Sequence, residues 1–246
     1  MKRWWTMVGK EWRDTWTLLA VAIAAVIALD VWLGIKSPKW SSLRDVGVVL
    51  SCIPFAGVGI ATVVAGFSTM RAEWRSRTSM RTLSYPMSGT GLLTAKLAVI
   101  LFNLVLVTLV AVAGVLYVTS RTPGSAGMMV IAPTGGIWIT ILAMSGIAFM
   151  IAVGMFSFVI GTLVPRVSGL IAVIVHVLVW YLCLAFGPHV MYIASFLPNP
   201  VTAKSVNDLD PVRGIAVPLL PVWPALAATV ALLIVAGKIL ESEVDA

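Results

Sequence analysis

Side chains that could do chemistry are scarce in this chain, and most sit in apolar surroundings. His176 and His189 are its histidines, and Cys52 and Cys183 its cysteines. No His-Glu-x-x-His and no clustered Cys/His spacing occurs, so a protein-built zinc site is not expected. Gly9-Lys10 and Gly237-Lys238 lack the earlier glycine and the following Ser or Thr of a phosphate-binding loop, and there is no Gly-x-Ser-x-Gly elbow. Both cysteines fall inside apolar runs and read as small buried packing residues. What remains are isolated polar groups within apolar runs: Asp30, Asn103 and His176, with Lys96 at the edge of another run. Polar groups at membrane depth are expensive, which makes Asp30, Asn103 and His176 candidates for lining a path through a membrane. The simpler readings are that Lys96 snorkels to headgroups, Asp30 reaches surface water and a neutral His176 is satisfied by a neighbouring helix. Scattered groups of this kind form neither a proton relay nor an acid–base pair, so no catalytic residue is expected in the chain.

The densest polar stretch runs from Arg71 to Leu97, RAEWRSRTSMRTLSYPMSGTGLLTAKL. Glu73 and Arg77 are four apart, in the favourable order for an ion pair on a helix. Pro86 and Gly89–Gly91 end that segment before the next apolar run. The spacing predicts a short basic helix at a membrane surface, fit to anchor on anionic headgroups or to dock a soluble partner.

The elements that must hold these groups follow from composition. Of 246 residues, 60% are hydrophobic and 11% charged, against about 45–50% and 25% in soluble domains. The pattern predicts an all-α integral membrane protein, because a span needs about 20 apolar residues. Six runs qualify, at about 17–35, 46–70, 92–118, 136–163, 169–187 and 218–238, and together with the loops between them they form one transmembrane domain over 17–246. Residues 1–16 place Trp5, Val8, Trp12 and Trp16 on one helical face and Arg3, Thr6, Lys10, Arg13 and Asp14 on the other. That pattern predicts a separate amphipathic interfacial (elbow) helix; its length and its Glu11 and Asp14 argue against a cleaved signal peptide. Pro54, with Gly57 and Gly59, predicts a bend in the second span. Ala20, Ala24 and Ala28, and likewise Gly57, Ala61 and Ala65, form small-residue ladders for internal packing or for a dimer face.

Charge gives orientation. Alternate loops place Lys2, Arg3, Lys10, Arg13, Arg71, Arg75, Arg77, Arg81, Lys96, Arg166 and Lys238 on one side, and Lys36, Lys39, Arg44, Arg121, Lys204 and Arg213 on the other. The positive-inside rule then puts both termini in the cytoplasm. In this setting the net charge of +7 is read as a match to membrane lipid and not to nucleic acid. Most of the tryptophans fall where an interfacial belt would place them.

The order of these parts resembles the permease subunit of ABC-2-type transporters, bacterial ABC exporter transmembrane proteins, over nearly the whole chain. Members show Glu, three residues, Gly-Thr, then Leu-Leu-Ser-x-Pro-x-Ser-Arg, then a Lys opening the next span. Here the stretch reads Glu73, Arg77-Thr78, Leu83-Ser84-Tyr85-Pro86-Met87-Ser88-Gly89 and Lys96, with Arg77 in place of the usual Gly and Gly89 in place of Arg or Lys. Phe196-Leu197-Pro198-Asn199-Pro200 is similar to a Pro-Asn-Pro signature of the family. The resemblance implies a multi-pass protein of the bacterial inner (cell) membrane. It would form a homo- or heterodimer with a second permease and bind a cytoplasmic ABC ATPase dimer. The 71–91 loop, with Glu73, Arg75, Arg77, Thr78, Arg81 and Pro86, would be the helix that couples to the ATPase. ATP and magnesium would belong to that partner, with no cofactor in this chain. Apart from the resemblance, segment 188–217 reads as an outer re-entrant lid, because Val190–Leu197 is apolar enough to dip into the outer leaflet while Asn207, Asp208 and Asp210 suit water. A reading of another class is a non-transporting membrane anchor or signalling scaffold that uses the same basic loop to recruit a cytoplasmic partner.

Overall fold

The computed structural model describes residues 2–39, 44–75, 88–121, 133–194 and 221–244. Among them there is no strand. The helices are α1 (Lys2–Lys36), α2 (Arg44–Ser51), α3 (Ile53–Arg75), α4 (Gly89–Arg121), α5 (Pro133–Thr162), α6 (Ser168–Ala194) and α7 (Val222–Val244), with 3-10 turns at Ser37–Lys39 and Pro165–Val167. Six helical stretches, Lys2–Lys39, Val46–Arg71, Gly89–Arg121, Thr140–Thr162, Ser168–Val190 and Val222–Ser242, are long and apolar enough to cross a membrane. These are the lengths and composition of a multi-pass membrane protein, and the stretches follow the six predicted runs.

Three elements differ in detail from expectation. The first 16 residues are not a separate element, because α1 runs unbroken through them for 35 residues. At 1.5 Å per residue it is about 52 Å long, well over the roughly 30 Å of a hydrocarbon core. No Gly or Pro falls between Glu11 and Leu19 to end the helix there, and Phe102 and Asn103 of α4 pack beside the expected junction. The second run is interrupted at Cys52, two residues before Pro54. α2 ends at Ser51, and α3 starts at Ile53 after a turn in which Cys52 N donates to Val49 O (3.1 Å) and Phe55 N to Cys52 O (3.0 Å). Pro54 thus lies in the first turn of α3, where a missing N–H costs nothing. Third, α6 continues past Pro188 to Ala194, so residues 188–194 extend a span. A helix is the way to satisfy backbone groups in lipid, even across a proline. The rest of the expected lid, and the Phe196–Pro200 motif, lie outside the described residues.

The chain divides into two compact units, Met1–Thr62 with Ala98–Val130, and Val63–Leu97 with Ile131–Ala246. In the first, Leu33, Val48 and Val118 form a buried cluster with Leu29, Leu50 and Tyr117 packed around it. α1 and α4 run in the same direction there, as alternate spans must, since Trp12, Thr15, Asp30 and Gly34 meet Phe102, Asn103, Gly114 and Tyr117 in that order. The buried stripe of α1 carries Leu19, Val26, Asp30 and Leu33, which leaves Ala20, Ala24 and Ala28 exposed. Gly57 and Ala61 are exposed as well, and Ala65 is partly buried.

In the second unit α5 is central, packed against both α6 and α7. Its Ile151, Val153, Met155 and Val159 are fully buried. Gly66 of α3 and Gly154 of α5 touch backbone to backbone, the close approach that small residues allow in lipid. α6 is the least covered span, with Leu170, Val177, Leu184 and Tyr192 all exposed. In lipid this carries no penalty, because acyl chains are as apolar as leucine.

Candidate functional site

Hydroxyls within the spans are disposed of locally. Thr62, Thr108, Ser157 and Thr229 each donate at 2.7 Å to the carbonyl one turn back, those of Val58, Leu104, Val153 and Ala225. This back-bonding satisfies the hydroxyl without a tertiary partner. Against that background four buried side-chain atoms stand out as having no hydrogen-bond partner among the described residues: Oδ1 and Oδ2 of Asp30, Oδ1 of Asn103 and Nδ1 of His176. They belong to the three residues expected from sequence to line a path.

Asp30 lies in the first unit, on the packing stripe of α1, and is 3% exposed. It does not reach surface water. Its carboxyl sits in the notch left by Gly114 of α4, in the place a Cβ there would take. One turn on, the arrangement is reversed, and the Tyr117 ring of α4 fills the notch at Gly34 of α1. The two helices interlock by a side chain from each seated on a glycine of the other. The Arg121 guanidinium lies 5.5 Å over the Tyr117 ring, a cation–π contact that holds the ring at its outer face. Asn103 lies on the same seam, where its Nδ2 donates to Thr15 Oγ1 at 3.0 Å and leaves its own Oδ1 unpaired. Thr15 Oγ1 in turn donates to Glu11 O at 2.9 Å. Asp30 and Asn103 share a seam but not a site, since Asn103 is level with Thr15, about 22 Å along α1 from Asp30 at helical rise.

His176 belongs to the second unit. Its Nε2 accepts from Trp180 Nε1 at 3.2 Å, one turn along α6. An indole nitrogen only donates, so the ring proton of His176 resides on Nδ1, the atom that is buried without an acceptor. The imidazole lies 5.0 Å from the Phe67 ring of α3, and Trp180 lies 6.2 Å from Phe149 of α5. Among the described residues, the neighbouring helices supply aromatic surface to His176 but no acceptor for Nδ1.

Of the residues expected on the cytoplasmic loop, Glu73 and Arg75 occupy the last turn of α3. Arg77, Thr78, Arg81 and Pro86 lie outside the described residues. The loop's return is well built. Ser88 Oγ accepts from Gly91 N at 3.1 Å and caps α4. Glu241 of α7 reaches across, and its Oε1 accepts from Gly89 N at 2.7 Å. Gly89 and Gly237 pack backbone against backbone, with Thr90 also against Gly237. That contact explains why glycine stands at position 89, because a side chain there would strike the Gly237 carbonyl. Lys96, two turns on, is 1% exposed, so it is enclosed by protein and does not snorkel. Cys52 is exposed and Cys183 half-buried, so they are not the buried packing residues expected.

Glu241, Gly237 and Gly114 were missed by the sequence reading. Gly237 carried no signal beyond its place beside Lys238, and Gly114 is one of three small residues, with Ala111 and Ala113, in an apolar run. Among the described residues no group of three His, Cys, Asp or Glu is placed to hold a metal. No family model, curated protein or solved structure matches the chain.

Proposed function

We propose that this chain is the transmembrane permease subunit of a bacterial ATP-binding cassette exporter. It works as a dimer in the inner membrane, with both termini in the cytoplasm, and is driven by separate cytoplasmic ATPase subunits. The observation that carries the reading is the set of unpaired atoms on Asp30, Asn103 and His176, set in spans whose Thr62, Thr108, Ser157 and Thr229 hydroxyls are satisfied one turn back. Polar capacity left open at membrane depth is costly unless something transient uses it, and a substrate crossing the membrane is such a user. The order of parts along the sequence supports the same reading. The basic segment that would couple to an ATPase lies between α3 and α4, whose helical ends reach Arg75 and Gly89. The outward-facing Ala20, Ala24 and Ala28 supply a face on which a second permease can pack closely.

The test is reconstitution in proteoliposomes with a candidate ABC ATPase, sought first in the adjacent reading frames. The wild-type chain is expected to hydrolyse no ATP alone, to retain the ATPase through purification, and to support transport. Glu73→Ala combined with Arg77→Ala should detach or uncouple the ATPase, and unchanged binding and coupling would refute the docking role. Binding with neither transport nor substrate-stimulated hydrolysis would instead identify a non-transporting anchor.

A further inference from the structure

We infer that Glu241, at the C-terminal end of α7, is the positioning residue that fixes where the cytoplasmic loop re-enters the membrane domain. The inference rests on the permease reading, in which that loop takes up motion from an ATPase. Three observations carry it. First, α4 starts with its own cap, Ser88 Oγ on Gly91 N, and Leu92 N bonds to Ser88 O at 3.0 Å. The helix therefore has what it needs to begin, and the Glu241 carboxylate on Gly89 N at 2.7 Å is an addition from a helix 152 residues away. Second, the addition is a strong one. It joins a carboxylate to the N–H of a helix N-terminus, where the hydrogen bond is charge-assisted and the helix dipole favours a negative group. Third, Gly89, Thr90 and Gly237 bring the two backbones into contact, and that close approach lets the Glu241 side chain reach the amide. The last helix is thereby tied to the first residue of α4, immediately after the loop. Because α7 also packs along α5, a push on the loop at Ser88–Gly89 is passed to the helices of the second unit and is not lost at a free helix end.

The test compares wild type, Glu241→Ala and Glu241→Gln, each reconstituted in nanodiscs with the ATPase. Gln keeps an acceptor oxygen but no charge, and so separates the hydrogen bond from the dipole term. Three quantities are read: the thermal midpoint, deuterium uptake of the peptide containing Gly89–Leu92, and transport per ATP hydrolysed. The expected result for Glu241→Ala is a midpoint lowered by no more than one such bond accounts for, faster exchange in that peptide, and a roughly tenfold drop in coupling, the size set by one charge-assisted hydrogen bond. Glu241→Gln should fall between Ala and wild type. A lowered midpoint with unchanged coupling would make Glu241 a structural residue only and overturn the inference, as would unchanged exchange. A wild-type chain that neither retains the ATPase nor transports would sink the permease reading, and the positioning role with it. That outcome is seen in the wild-type control, before any variant is compared.

Discussion

The informative residues are those whose polar atoms the fold leaves unanswered. A hydroxyl in a helix can turn back on its own carbonyl, as Thr62 and Thr108 do, but a carboxyl on the packing stripe of α1 depends on its neighbours. Gly114 offers Asp30 space and no donor. Replacing a buried carboxyl that has no partner by an uncharged group of the same shape loses no bond and removes the cost of a buried charge. Asp30→Asn, nearly the same size, should therefore leave the unfolding midpoint in detergent unchanged or raised, while transport falls. A lowered midpoint with full transport would show that Asp30 is only a packing residue. Gly114→Ala is the converse. It drives a methyl into the carboxyl's place, and overpacking of this kind costs about 1–3 kcal/mol, readable as a lower midpoint in the same assay. If Gly114→Ala has wild-type stability, the interlock of α1 and α4 is looser than the geometry requires.

Elements were legible in the sequence wherever a single run of side chains determined them, and were not where a distant partner did. Six runs of about 20 apolar residues translate directly into six spanning helices, and Asp30, Asn103 and His176 could be found because polar residues are rare in such runs. The continuity of α1 past Trp16 was not legible, because the support there comes from Phe102 and Asn103 of α4. The break at Cys52 was visible only as the signal of Pro54 two residues on. The Glu241–Gly89 contact joins positions that no local pattern relates. The small-residue ladders were legible as ladders, but which way they face depends on the packing stripe beside them. Since Ala20, Ala24 and Ala28 are exposed, a large side chain there is not expected to clash with the described residues. Ala24→Phe should thus leave the monomer's stability within about 0.5 kcal/mol, as for surface changes generally, while sharply lowering the dimer fraction measured by subunit photobleaching. Loss of monomer stability would place that face inside the fold, and an unchanged dimer fraction would move the interface elsewhere.

For the whole molecule, the least local property is which side of the membrane each end occupies. The basic residues divide eleven to six between alternate loops, and the parallel run of α1 and α4 agrees with their being alternate spans, though direction alone does not say which side is which. The positive-inside rule supplies the proposal that both termini are cytoplasmic, because Lys and Arg near span ends resist translocation. Exposed serines lie near the two ends of the spans: Ser120 at the end of α4 and Ser242 near the end of α7. In a background of Cys52→Ser and Cys183→Ser, Ser120→Cys should react with a membrane-impermeant maleimide on intact cells. Ser242→Cys should react only once the membrane is opened. The two sites are separated by three spans, α5 to α7, so they must behave oppositely in any six-span arrangement. Equal labelling would remove a span, and reversed labelling would invert the protein. Inversion would carry Glu241, Gly89 and the basic segment between α3 and α4 to the outer face, where no ATPase could reach them, so this labelling tests the premise on which the proposed function and its coupling both depend.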